Sequence, residues 1–350
     1  MPAPEPSHAA LPRLALTMGD PAGVGPEILA AVWNDPRLFE TCRPLVVGDR
    51  GAMTRAIDLL ETRCKAIAAK DWPAGFDQAS PSVMPCLESL PTALGEFTPG
   101  VVNAATGEAA YRAVVAAAKG ALAGDCHGLV TAPLSKAALQ AAGHDYPGHT
   151  ELLAELCGVE QFAMMLYLPQ ELAPKTRAGI GVVHTTLHTS LRNAIEQLTT
   201  ERIVEKCRLA HDAAVAYGVE NPRVGVAALN PHGGEDGLFG DEESRLIAPA
   251  IAEARAAGID ASGPHPVDTL MVRAVGGEFD AVVAMYHDQG HIALKLLGMH
   301  GAVNITLGLP IVRTSVAHGT APDKAWRGVA ETGGMLAAVR SAAALARQRS

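Results

Sequence analysis

Short apolar runs alternate with alanine-rich stretches of helical spacing along most of this chain. Residues 14–18, 44–48, 128–131, 180–183, 224–229 and 281–285 are strand-length runs carried mainly by Val, Leu, Ile and Ala. A continuous apolar run of that length, bounded by turn residues, is the mark of a buried strand. Residues 308–312 have the same character. Between the runs, 27–33, 106–122, 151–156, 199–217 and 242–257 repeat apolar side chains at the spacing of a helix. The stretch 73–99 is rich in Pro, Ser and turn residues and reads as loops with short edge strands. Strands alternating with helices predict an α/β fold: a mainly parallel sheet with helices on both faces.

Polar side chains gather where the strands end. The run 281–285 is followed by Tyr286-His287-Asp288-Gln289-Gly290-His291-Ile292-Ala293-Leu294-Lys295. Ligand sites in open α/β sheets sit outside the carboxyl ends of strands. Taken alone, His287 and His291 are better explained as strand-end histidines making ordinary hydrogen bonds. Two further strands end the same way, however. His184 and His188 follow 180–183, and Asn230-Pro231-His232-Gly233-Gly234-Glu235 follows 224–229. Three neutral imidazoles make a divalent-metal site with open positions. None of these histidines has zinc-finger spacing to another, so convergence has to come from the fold.

Composition narrows the class. The 350 residues suit one large or two medium domains, and 48% hydrophobic content supports a real core. Aromatics are only 4%, which leaves the packing to aliphatic side chains. A net charge of -9 argues against nucleic acid as the main partner. Cys42, Cys64, Cys86, Cys126, Cys157 and Cys207 are scattered without a CxxC pair, as suits reduced thiols in a cytoplasmic protein. No apolar run approaches the ~20 residues that cross a bilayer. The opening MPAPEPSHAALPR is no signal peptide and reads as a disordered tail.

Two loops that follow strand-like runs carry glycine. Thr17-Met18-Gly19-Asp20-Pro21-Ala22-Gly23-Val24-Gly25-Pro26-Glu27 joins the first strand to the first helix, but fits neither GxGxxG nor the Walker pattern. Its glycines serve a tight turn equally well, with Pro26 pre-set for a helix start. Thr314-Ser315-Val316-Ala317-His318-Gly319-Thr320-Ala321-Pro322-Asp323 could hold an adenine or ribose, or simply form a turn.

As a set, TMGDPAGVGPE, TAPLSK, GHTE, NPHGGE, YHDQGH…K and VNITLGLPIVRTSVAHGTA resemble the 4-hydroxythreonine-4-phosphate dehydrogenase family of vitamin B6 synthesis. The resemblance runs from Leu14 to about Gly328 with the motifs in order. It extends to the isocitrate and isopropylmalate dehydrogenases, whose adenosine-binding loop is similar to His318-Gly319-Thr320-Ala321-Pro322-Asp323. That group binds nicotinamide cofactors without the Rossmann fingerprint. The resemblance implies two α/β/α domains, 11–145 with 305–350 and 146–304, with a cleft between them. It implies NAD or NADP at His318, Gly319, Thr320 and Asp323, and one divalent ion (zinc, magnesium, manganese or cobalt) on His188, His232 and His287. His149, Thr150, Asp268, Lys295, Asn304 and Arg313 would contact substrate, with Asp268 or Lys295 moving the proton. A homodimer is implied too, its metal site at the subunit boundary.

Two segments depart from the family pattern. The interval between GHTE and His188 is longer, with a polar stretch over 168–177, and Gly237-Leu238-Phe239-Gly240-Asp241-Glu242-Glu243 replaces a GHMGREE-like run. Relatives acting on 4-phospho-D-threonate, 4-phospho-D-erythronate or cis-dihydrodiol carboxylates share the core motifs. The expected activity is metal-dependent oxidation and decarboxylation of a phosphorylated 3-hydroxy acid, with 4-hydroxythreonine 4-phosphate first among substrates. From the residues alone, a three-histidine metal hydrolase, a phosphotransacetylase-like acyltransferase and a non-catalytic binding protein also stand.

Overall fold

Twelve strands join in one continuous sheet across the described residues. The structure, a computed structural model, describes residues 11–299 and 301–349. In chain order the strands are β1 (Arg13–Thr17), β2 (Arg43–Gly48), β3 (Lys65–Ala68), β4 (Val83–Glu88), β5 (Gly128–Thr131) and β6 (Ala163–Leu168). They continue with β7 (Ile180–His184), β8 (Arg223–Ala227), β9 (Asp260–His265), β10 (Ala281–Ala284), β11 (Val303–Leu307) and β12 (Arg313–Val316). Their spatial order is β3-β4-β2-β1-β5-β12-β11-β6-β7-β10-β8-β9.

The sheet is parallel except in its middle, where β12–β11, β11–β6 and β6–β7 are antiparallel. Three reversals in succession leave β7, β10, β8 and β9 running opposite to the β1–β5–β12 group. The carboxyl ends of the two parallel groups therefore point to opposite ends of the sheet. A polar cavity lies over those middle strands.

Both faces of the sheet are covered, which is why the strands read as unbroken apolar runs rather than as alternations. Leu14, Leu16 and Met18 pack on one side with Trp33 and Met335, while Ala15, Leu45 and Val47 pack on the other with Ala113, Val114 and Leu129. The helix Ala104–Ala123 shows how small side chains do this work. Asn103 caps it by accepting from Ala105 N–H, its buried stripe is mostly alanine, and Gly124 ends it at φ 80°.

Several expectations change. Residues 308–312 form a turn between β11 and β12 rather than a strand, because Gly308 takes φ 86° and Pro310 has no N–H to give. The expected helix over 242–257 begins as a π-helical turn, Glu243–Ile247, before the α-helix Ala248–Ala256. Within 73–99 lie β4 and most of the helix Trp72–Gln78. The expected tail over residues 1–10 lies outside the described residues, and Arg13 already belongs to β1. The polar segment after β6 is tied down by Arg177, which binds Asp280 and donates to the Glu220 carbonyl. Arg223 holds the same carboxylate, whose side chain is 2% exposed.

Candidate active site

The helix His287–Gly298 starts where β10 stops, with Tyr286 still extended at φ −144°. His287, His291 and Lys295 recur every four residues, so the helix sets them on one stripe, and all three line the cavity, whose volume is about 310 Å³. The next stripe carries Ile292 and Leu296, which are exposed. Gly290 lets the helix lie close to β7 and β10: a Cβ there would stand 2.6 Å from His184 Nε2.

Histidines pack together under this stripe. His287 stacks on His291 with ring centroids 3.8 Å apart, and His188 approaches His287 at 5.9 Å. His287 Nδ1 pairs with the Asp288 carboxylate at 2.7 Å, which leaves Nε2 free, the arrangement usual for a metal-ligating imidazole. His291 Nδ1 lies 3.0 Å from His184 Nε2, and His184 Nδ1 lies 3.3 Å from the Met164 carbonyl. Burial pushes the His184 pKa down to about 4 and, with help from the neighbouring imidazoles, that of His291 to about 2. Both rings are therefore neutral.

Opposite the histidines stands Arg313, 2% exposed. Its guanidinium donates to Thr131 Oγ1 and Thr306 Oγ1, both neutral. Burial lowers its pKa to about 10, only partly offset by Glu151. A buried charge of this kind wants an anion. Two atoms there do lack partners: His149 Nε2 and Asn304 Oδ1 are buried without a hydrogen bond. Burial, and then the Arg313 charge, hold the His149 pKa far below its ordinary value. The cavity thus combines a buried cation, unsatisfied polar atoms and a histidine stack.

Of the residues singled out from the sequence, His149, Thr150, His188, His287, Lys295, Asn304, Arg313, His318 and Gly319 line this one cavity. Thr320 packs behind it: Val24 N–H donates to the Thr320 carbonyl, and Gly23 makes room, since a Cβ there would stand 2.8 Å from Thr320 Cβ. The first glycine loop therefore buttresses the last one. Asp323 is exposed beyond that contact. Asp268 is exposed in the first turn of the helix Val267–Val275 and borders a different, apolar cavity. His232 is exposed after β8, the strand beside β10. Its loop holds His232, Glu235 and Asp236 at φ 54°, 46° and 53°, a costly left-handed run. Glu243 anchors that loop by accepting from the Leu229 and Asn230 N–H groups and the Asn230 amide. Burial alone would raise its pKa, but those donors outweigh burial and hold it below the ordinary range.

Sequence reasoning missed Lys136 and Glu151, which line the cavity. After burial, Lys136 is the strongest influence lowering the His188 pKa, and Glu151 opposes it. Both close motifs already singled out, TAPLSK and GHTE. Among the described residues, no group of three or more His, Cys, Asp or Glu side chains in one chain is placed to hold a metal. His188 and His287 supply two imidazoles to one place, so a third donor would have to come from elsewhere.

The fold and cavity define an α/β dehydrogenase of the isocitrate/isopropylmalate dehydrogenase-like class, its site over the middle of a mostly parallel sheet. More narrowly, the chain belongs to the family of the pyridoxal phosphate biosynthetic protein PdxA, whose profile matches residues 40–342. It is 47% identical to a 4-hydroxythreonine-4-phosphate dehydrogenase of Geobacter metallireducens over 96% of both chains. It is 42% identical to a D-threonate 4-phosphate dehydrogenase of Pectobacterium atrosepticum over 95% of this chain and 99% of that one. A crystal structure of 4-hydroxythreonine-4-phosphate dehydrogenase from Klebsiella pneumoniae superposes with TM-score 0.83 at 40% identity, covering 97% of this chain and 99% of that one.

Proposed function

We propose that this chain oxidises and decarboxylates a phosphorylated 3-hydroxy acid with NAD or NADP, and that its substrate is 4-hydroxythreonine 4-phosphate. The observation that carries the reading is Arg313, a buried guanidinium whose hydrogen bonds among the described residues go to neutral hydroxyls, lining a cavity that also holds His188 and His287. Arg313 takes the phosphate, and where Asp268 takes the proton Lys295 adds a second, more mobile charge. His149 Nε2, Asn304 and Thr150 supply the neutral contacts. Family membership favours a dehydrogenase over a hydrolase or an acyltransferase. D-threonate 4-phosphate is the second reading, motivated by relatives of that name at nearly the same identity.

His188 and His287 fit a divalent ion, and His232 is the third ligand we assign. Bound there, the ion would act as a Lewis acid toward the substrate hydroxyl and carboxylate. Lys295 or Asp268 would take the hydroxyl proton, and a nicotinamide held beside His318 and Gly319 would supply the acceptor for the hydride of the carbinol carbon. The bond to the carboxylate then breaks, carbon dioxide departs, and the adjoining carbon takes up a proton. His232 and Asp268 reach this chemistry from a second copy. Exposed Val272, Ile292, Leu296 and Leu297 form the apolar face for that copy, with Asp268 at its border. The seam between two lobes, 11–145 with 305–350 and 146–304, falls among the antiparallel strands, with β11 crossing the 304/305 boundary. Six cysteines without disulfides accord with a cytoplasmic enzyme. The test is nicotinamide reduction with each phosphorylated acid, with and without chelator; a flat absorbance trace with both acids and every metal would refute the reading.

A further inference from the structure

His291 does not belong to the ligand set just assigned, yet it lines the cavity and stacks on His287. Its protonation pattern follows from its neighbours. A carbonyl oxygen can only accept, so the contact with Met164 O requires a proton on His184 Nδ1. In a neutral ring, His184 Nε2 is then bare. The contact between that nitrogen and His291 Nδ1 requires the proton to sit on His291. His291 Nδ1 being committed, the atom the ring has left to offer is Nε2, and it carries a lone pair. One backbone carbonyl thus fixes the tautomer of a ring two hydrogen bonds away.

We propose that His291 is a specificity-determining residue whose Nε2 accepts a hydrogen bond from a donor on the carbon between the carboxylate and the carbinol of the substrate. The inference rests on the functional reading above, which places phosphate at Arg313 and the carboxylate end near His287. His291 lies against His287, at the carboxylate end. The carbon in question carries an ammonium in 4-hydroxythreonine 4-phosphate and a hydroxyl in D-threonate 4-phosphate, and either can donate to imidazole. An acid with two hydrogens there has nothing to offer, and leaves a desolvated nitrogen unpaired. His184 is the positioning residue: it sets which nitrogen of His291 bears the proton, and Gly290 gives it room.

The test pairs His291→Leu with two substrates, the one turned over best and its analogue 3-hydroxy-4-phosphooxybutanoate, which lacks the substituent. Removing the acceptor should cut kcat/KM about 10–100-fold for the donor-bearing acid, the scale of a hydrogen bond to a charged or desolvated partner. For the analogue it should change kcat/KM by less than about threefold, since there is no bond to lose. His291→Gln, whose amide oxygen reaches where Nε2 stood, should recover part of the loss for the donor-bearing acid only. Equal losses on both substrates would overturn the proposal, because a merely structural histidine cannot tell them apart. Histidine 15N spectra of the unliganded parent provide a readout independent of turnover. A bare Nε2 and a protonated Nδ1 on His291 are expected, and a protonated Nε2 would overturn the proposal. A parent enzyme inactive on every phosphorylated acid would refute the functional reading instead, with the tautomer still decided by the spectra.

Discussion

Replacing Arg313 with methionine should separate stability from function. At neutral pH the guanidinium is charged although burial lowers its pKa from 12.5 to about 10. Taking ~1.4 kcal/mol per unit, the charged form costs the free fold about 3 kcal/mol. The sign follows from linkage: the unfolded chain binds this proton more tightly, so the penalty is relieved only as pH rises through about 10 toward 12.5. Methionine removes that penalty but leaves the Thr131 and Thr306 hydroxyls each short of a partner, at about 1 kcal/mol apiece. The two effects nearly cancel, with a small net gain. Thermal melting of the ligand-free variant should therefore lie within about 3 °C of the parent. Its kcat/KM on the phosphorylated acid should fall by roughly 2–5 kcal/mol, a factor between about thirty and several thousand. Inorganic phosphate should raise the melting temperature of the parent and leave the variant unmoved. A variant that melts far lower, keeps its activity and still responds to phosphate would refute the reasoning.

Other expectations follow from the same structure. Asp280→Asn should cost about 1–3 kcal/mol in urea unfolding at pH 7, discounted for its half-exposed arginine partners. Burial raises the Asp280 pKa, but bonds from Arg177 and Arg223 outweigh burial and hold it below 3.8. That stabilisation is complete above the ordinary aspartate range, so the variant's deficit should fade only below about pH 4. Gly290→Ala should displace His184 and lower stability by about 1–3 kcal/mol, visible as a lower urea midpoint. His188→Ala and His232→Ala should each be inactive alone, while subunits mixed after dissociation recover up to about a quarter of parental activity, as a shared site requires.

The sequence carried the strands on either side of the middle well, because β1, β2, β5, β7, β8 and β10 are buried on both faces and keep their apolar runs, whereas the edge strands β3 and β9 were not read. The middle of the sheet was hidden for a physical reason. β12 reads Arg-Thr-Ser-Val and is buried throughout, its polar groups satisfied by Thr131, Thr306 and the Ala338 carbonyl. The apolar residues beside it, 308–312, drew the strand assignment to a turn. β6 was missed although all six of its residues are buried. The helix that carries His287, His291 and Lys295 was not read, although their four-residue spacing is that of one helical stripe. The partnership of His291 with His184 was not legible, since it spans 107 residues and depends on Gly290.

The central claim is most directly tested by following nicotinamide absorbance with 4-hydroxythreonine 4-phosphate, D-threonate 4-phosphate and their unphosphorylated counterparts. Each would be run with NAD and with NADP, before and after chelator. The account predicts metal-dependent reduction of at least one dinucleotide with equimolar carbon dioxide release, strongest with 4-hydroxythreonine 4-phosphate and absent without the phosphate. Turnover of the unphosphorylated acids at comparable rates, or no reduction with any acid, would contradict it.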